Sequence, residues 1–313
     1  MRIVLAVDGS PSAAAATQLV GRSRWPDRTR VDVCGVIDIA TVFPTNLALM
    51  PAIYDPQPYL AAAEAAVDSL LESAADRVRG SGPAAEAVRL SGRPADAIAL
   101  HAAEVGADLI VCGSRGRGTL STMLLGSVSA ELADRAHCPV LVARNETVSR
   151  VLLAHDGSGP ALLAERIVAT WPLFEGLSVH VVGVRPAIER RSDAFSALTT
   201  SSVIEGYEQM MTDLGRHHTK VVDEAAARLR EVVREAEPEM LEGDAAARIV
   251  ETSERIGADL VVIGTRGLTG IDRLLLGSVA RNVLLHSSAS VLVVRPSRTL
   301  SVAAVAPQDG AKS

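Results

Sequence analysis

Residues 107–144 read ADLIVCGSRGRGTLSTMLLGSVSAELADRAHCPVLVAR, and residues 258–295 read ADLVVIGTRGLTGIDRLLLGSVARNVLLHSSASVLVVR. Laid together without a gap they share 16 identities in 38 positions. The starts correspond too: IVLAVDGS at 3–10 matches VLLAHDGS at 151–158. Self-similarity at this period marks an internal duplication. At roughly 150 residues per domain, 313 residues also suit two domains. The first spans 1–145, the second 150–296, joined by the short polar stretch 145–149. Residues 297–313 are rich in Ala, Ser and Pro without periodicity and are expected to be disordered.

Each unit alternates short apolar runs with amphipathic stretches. In the first, strands are expected at 2–7, 30–37, 84–90, 107–112 and 139–143, with helices at 12–23, 57–79, 94–105 and 127–137. In the second, strands are expected near 150–154, 178–184, 238–242, 258–263 and 290–294, with a long helix over 205–236. Ser10 followed by Pro11 is a helix start. Alternating strands and helices imply an α/β fold with a parallel sheet covered on both faces. The expectation is two tandem Rossmann-like domains, each an open five-stranded parallel sheet of order 3-2-1-4-5. The chain reverses direction between strands 1 and 4, and ligands in such sheets bind there, at the carboxyl ends of the strands.

Two motifs meet at that point. After strand 4 comes Gly113-Ser114-Arg115-Gly116, nine residues, then Gly126-Ser127-Val128. The second copy has Gly264-Thr265-Arg266-Gly267, nine residues, then Gly277-Ser278-Val279. Glycine lets backbone approach a ligand without a Cβ, and successive inward N–H groups make an anion nest. The last Gly-Ser opens a helix, whose unpaired N–H groups and partial positive charge favour phosphate. Arg115 and Arg266 can offset anionic charge. The bland alternative is a loop that keeps glycines for turn geometry alone. After strand 1 stand Ala6, Asp8, Gly9 and Ser10, and in the second copy Asp156, Gly157 and Ser158. An Asp before Gly-Ser is a common turn former, but at the switch point a carboxylate can also accept from ligand hydroxyls.

Composition removes several classes. A net charge of −6 argues against a nucleic-acid-binding stripe and gives no pull toward anionic membranes. No run of about 18 apolar residues occurs, and the start lacks signal-peptide form, so the chain is read as cytoplasmic. Cys34, Cys112 and Cys138 form no CxxC and read as small buried hydrophobes; a redox role for Cys112, next to the loop, is the weaker option. His155 replaces Val7 of the first copy and reads as a hydrogen-bonded core histidine, and the seven histidines show no metal-ligand spacing.

The Asp-Gly-Ser turn, the ADLIV strand, the G-x2-G-x9-G-S loop and the closing PVLVAR or SVLVVR strand resemble the universal stress proteins, in tandem form and of the ATP-binding branch. The resemblance covers nearly all of 1–296 and is weakest after strand 2 and in the second helix. It implies ATP as ligand, allowing for Mg2+, with the loop glycines and serine on the phosphates and Asp8 and Asp156 toward the ribose or adenine end. Backbone near Val36 and Val184, at the ends of the second strands, would contact adenine. It also implies pairing through the last strand, here strand 139–143 against 290–294 within one chain, with a homodimer of whole chains as a further option.

The leading expectation is an ATP-controlled regulatory or stress-response protein with one site per domain and a protein partner of unspecified identity. Occupancy would set the connections 38–56 and 185–205, whose apolar residues (Phe43, Leu47, Met50, Ile53, Tyr54; Ile188, Phe195, Leu198) serve as lids or partner surfaces or simply pack on the sheet. No Walker lysine loop, kinase signature or Ser–His–Asp grouping is evident. The rival readings are a slow ATP hydrolase or adenylyl-transfer enzyme, and a ligand-free scaffold.

Overall fold

A computed structural model of the chain describes residues 1–38, 57–116, 125–185, 201–265 and 276–296. The first half holds strands β1 (Arg2–Ala6), β2 (Arg30–Ile37), β3 (Ala84–Ser91), β4 (Leu109–Gly113) and β5 (Val140–Ala143). Its helices are α1 (Pro11–Arg22), α2 (Gln57–Arg79), α3 (Pro94–Glu104) and α4 (Ser127–Arg135). The second half repeats them as β6 (Arg150–Ala154), β7 (Ser178–Arg185), β8 (Glu235–Glu242), β9 (Leu260–Gly264) and β10 (Ser290–Val294). Its helices are α5 (Gly159–Thr170), α6 (Ser201–Leu229), α7 (Ala245–Ile256) and α8 (Ser278–His286).

The strand order is β3-β2-β1-β4-β5-β10-β9-β6-β7-β8, so each half has the expected 3-2-1-4-5 order and all pairings within a half are parallel. The halves join through one antiparallel pairing: Val142 faces Val291, Leu141 faces Leu292 and Val140 faces Val293. The result is one ten-stranded sheet. Pairing the two apolar last strands covers the edge that each half alone would leave open.

Strand side chains alternate between faces. Ile3 and Leu5 join one core with Leu19 of α1, Leu71 of α2, Leu163 of α5 and Leu229 of α6. Val4 and Ala6 join the other with Ile98 of α3, Leu132 of α4, Ile249 of α7 and Val283 of α8. Leu141 and Leu292 belong to the first core, and Val140, Val142, Val291 and Val293 to the second. Both apolar layers therefore run unbroken through the junction. On the first face Trp25 and Trp171 meet edge to face across it, ring centres 6.5 Å apart.

Two adjoining elements differ most in their bounds. The long second-half helix ends at Leu229, not 236, and β8 begins at Glu235. The stretch REVVREAE has good helix formers, but the Arg234 N–H bonds the Leu177 carbonyl beside β7 and starts the strand. Tertiary pairing overrides propensity here. Pro238 sits in β8, where an edge strand tolerates the missing N–H. The proposed lid residues at 43–54 and 188–198, and the tail from 297, lie outside the described residues.

Candidate nucleotide site

At the carboxyl ends of β1, β2 and β4 the first half opens a cleft of about 660 Å³. That lies within the range of small-molecule sites, roughly 300–1,000 Å³. Three sets of residues build it. Ala6, Val36, Cys112 and Gly113 form the strand-end floor. Ala63, Ala66, Val67 and Leu70 of α2 form an apolar wall. Arg115, Gly116, Gly126, Ser127 and Val128 form the far end, with Asp8 at the rim. The cleft is thus apolar along one side and bordered at the other by Arg115, two loop glycines and the start of a helix.

The polar end is the start of α4. Gly126 is the N-cap, and no side chain caps the helix there. Exposed Ser127 is the first helical residue. The loop is closed by two backbone bonds: Gly126 N–H to the Ser114 carbonyl, 2.7 Å, and Ser114 N–H to the Ala143 carbonyl, 3.1 Å. The second half repeats both, Gly277 to Thr265 at 2.7 Å and Thr265 to Val294 at 2.9 Å. Gly277 again caps α8 without a side-chain bond, and Ser278 again leads the helix. A helix start whose donors face a cleft favours an anion.

The turns after β1 and β6 are also alike. Asp8 accepts from the Ser10 N–H at 2.9 Å, and Asp156 from the Ser158 N–H at 3.0 Å. One carboxylate oxygen of each therefore holds its own turn, as the turn-former reading requires. Gly9 and Gly157 take φ of 77° and 80°, a left-handed conformation that favours glycine. Ser10 is buried; it caps α1 through the Ala13 N–H and donates to the Arg115 carbonyl at 3.1 Å. It ties the first turn to the glycine loop.

The sequence-derived residues divide into two groups. Ala6, Asp8, Val36, Gly113, Arg115, Gly116, Gly126, Ser127 and Val128 border the cleft. Ser114 is buried behind the loop, Ser10 works as a cap, and Gly9 shapes the turn. In the second half Asp156, Gly157, Ser158, Val184, Gly264, Thr265, Gly277, Ser278 and Val279 occupy corresponding elements, while Arg266 and Gly267 lie outside the described residues. Sequence reading missed the α2 wall. Its signal was available: residues 63, 66, 67 and 70 keep the spacing of one helix face.

Gly113 has a reason that the sequence does not disclose. A Cβ built on it would stand 2.6 Å from the Ser12 carbonyl carbon and 2.7 Å from the Ala13 nitrogen. On Gly264 it would stand 2.8 Å from Pro160 backbone. These glycines let α1 and α5 press against the ends of β4 and β9.

Cys34 and Cys112 border the cleft, and all three cysteines are free and buried. Burial pushes each thiol up to about 12, so none is a thiolate near neutral pH. No group of three His, Cys, Asp or Glu among the described residues could hold a metal ion.

The universal stress protein family model matches residues 1–144 and again 147–295. The chain belongs to the universal stress protein family. A universal stress protein of Mycobacterium tuberculosis (strain H37Rv) is 30% identical over 207 residues, 61% of this chain and 63% of that protein. The chain thus spans under two thirds of that relative's length. Another from the same strain is 25% identical over 321 residues, 94% of each chain. Among solved structures, a universal stress protein from Archaeoglobus fulgidus covers 94% of this chain and 98% of its own, with a TM-score of 0.62 at 21% identity. That likeness speaks to the fold of a tandem universal stress protein. No helix among the described residues is long and apolar enough to cross a membrane.

Proposed function

We propose that this universal stress protein binds ATP, one molecule per half, and acts as a nucleotide-controlled regulatory protein. The observation that carries the reading is the cleft at the ends of β1, β2 and β4, apolar along α2 and closed by the uncapped start of α4. An adenine suits the apolar side, and a phosphate chain suits the loop N–H groups and the helix start. The second oxygen of Asp8 is oriented toward the loop, where a ribose hydroxyl can donate to it. Ser127, Val128 and Arg115 would hold the phosphates, as would Ser278 and Val279 in the second half, while Gly126 and Gly277, whose N–H groups close the loops, leave room for the approach. Mg2+ would accompany the triphosphate.

Calorimetric titration with ATP tests this directly. The expected result is two sites in the unmodified chain, one after Gly126→Asp, and none after Gly126→Asp with Gly277→Asp. Aspartate is a good helix N-cap, so the helices persist while a carboxylate opposes the phosphate. Absence of binding in the unmodified chain sinks the reading. Turnover of many ATP per minute, lost on Gly116→Asp plus Gly267→Asp, would replace regulation with catalysis.

A further inference from the structure

The residue that follows each junction strand is an arginine, and each reaches into the other half. Arg295, after β10, donates to the Ala136 carbonyl at 2.6 Å, to the Asp134 carbonyl at 3.2 Å and to the Ala133 carbonyl, all at the C-terminal end of α4. Arg144, after β5, donates to the Leu284 carbonyl at 2.7 Å in the last turn of α8, and to the Ala289 carbonyl at 3.1 Å, just before β10. The arrangement is reciprocal about the β5–β10 pairing. Arg281 of α8 adds an ion pair to Asp134 of α4 at 2.7 Å.

These are the two helices whose opposite ends close the candidate sites. Each has nine residues, a length of about 13 Å at 1.5 Å per residue. A rod this short moves as one piece. Its last carbonyls lack partners inside the helix, and a cation placed there complements the dipole that favours an anion at the other end. The Arg295 fork holds three carbonyls at the end of α4, and the Arg144 fork ties the last turn of α8 to the residue before β10, fixing direction as well as charge. The backbone beside each arginine serves its own half: Ala143 and Val294 carbonyls accept from Ser114 and Thr265, the second residues of the glycine loops.

We propose that Arg295 and Arg144 are positioning residues acting across the junction, Arg295 for the first-half site through α4 and Arg144 for the second-half site through α8. Neither half's anion site is then fully set by its own residues. The inference rests on the nucleotide reading for its ligand but not for its geometry.

Two measurements test it. In a Gly277→Asp background, which leaves only the first site, Arg295→Met is expected to weaken ATP roughly tenfold, the scale of one or two lost hydrogen bonds. In a Gly126→Asp background the same change leaves the second site within about twofold. Arg144→Met gives the opposite pattern, and Arg295→Lys or Arg144→Lys restores part of the loss. Equal weakening at both sites, or none, overturns the proposal. The second measurement is hydrogen exchange in the nucleotide-free chain. Amides of α4 that are bonded within the helix, from Ala130 (to the Gly126 carbonyl, 3.1 Å) onward, should exchange faster in Arg295→Met and Arg295→Lys than in the unmodified protein. Unchanged exchange overturns the positioning role. If the unmodified chain binds no ATP, the nucleotide reading falls and the exchange result alone decides the positioning role.

Discussion

Gly116 stands against Asp8: a Cβ built on the glycine would lie 2.8 Å from the Asp8 carboxylate oxygen. That oxygen is the far end of an exposed side chain, so Gly116→Ala displaces a functional group and leaves the backbone alone. The expected cost to stability is within about 0.5 kcal/mol, as for other surface changes. ATP affinity at the first site should fall roughly tenfold, about 1.4 kcal/mol. Gly113→Ala is the contrast, because its Cβ would meet backbone of Ser12 and Ala13. It should destabilise by roughly 2–3 kcal/mol through overpacking. Urea denaturation and ATP titration on both variants separate the roles. Equal stability of the two variants would show that Gly113 is not a packing glycine.

This contrast bears on what a sequence can disclose. The strand order, the glycine loop and the strand-to-strand junction were legible because each leaves a local pattern: apolar runs, fixed glycine spacing, apolar edges needing cover. The reason for each glycine was not. Gly113 and Gly116 look alike in G-x2-G, yet one is required by α1 packing on β4 and the other borders the cleft. Ser10 and Ser114 belong to the motifs as candidate site residues, yet one is a helix cap and the other a buried loop residue. Such divisions depend on which element packs on which, and spacing does not record that. The α2 wall was missed for a related reason: an Ala-rich helix face reads the same whether it covers a sheet or lines a cavity.

Joining the halves through β5 and β10 can be watched with the chain's own fluorophores. Trp25 and Trp171 are its two tryptophans, and they touch across the junction. Leu141 and Leu292 face one another in the pairing and are fully buried. Leu141→Asp places an unpaired carboxylate in an apolar core, a change expected to cost at least about 3 kcal/mol. Near-ultraviolet circular dichroism should lose the coupled tryptophan signal, and the joining stretch 145–149 should become sensitive to proteolysis. Retention of both properties would mean that the junction does not depend on this pairing.

The cysteines give a third outcome. With each thiol pushed up to about 12 by burial, the folded chain should react with an aromatic disulfide reagent at pH 8 only through opening of the structure. Three equivalents should react at once in denaturant. Cys34 and Cys112 border the cleft, so ATP should slow their modification more than that of Cys138, which it slows only by stabilising the folded chain. Fast reaction of Cys112 in the native chain would restore the redox option for it.

The second half carries a buried charged group that the first lacks. His155 Nε2 lies 2.9 Å from Glu165 without good hydrogen-bond alignment, and Arg228 of α6 holds the same carboxylate at 2.6 and 3.0 Å. Val7 and Thr17 occupy the corresponding places of the first half. Burial alone would raise the Glu165 pKa, but His155 and Arg228 outweigh it and hold the carboxyl at about 2. Its ionised form is therefore favoured more in the folded than in the unfolded chain. The stability it contributes is fully present above the unfolded value of 4.5 and is lost as pH falls toward about 2. Glu165→Gln should cost up to about 3 kcal/mol near neutral pH, the scale of a broken buried pair, reduced because Arg228 is half exposed and partly screened. The same variant should flatten the stability profile between pH 4.5 and 2. Denaturation midpoints across that range check both effects. A Glu165→Gln profile parallel to that of the unmodified chain would assign the acid sensitivity to other carboxylates.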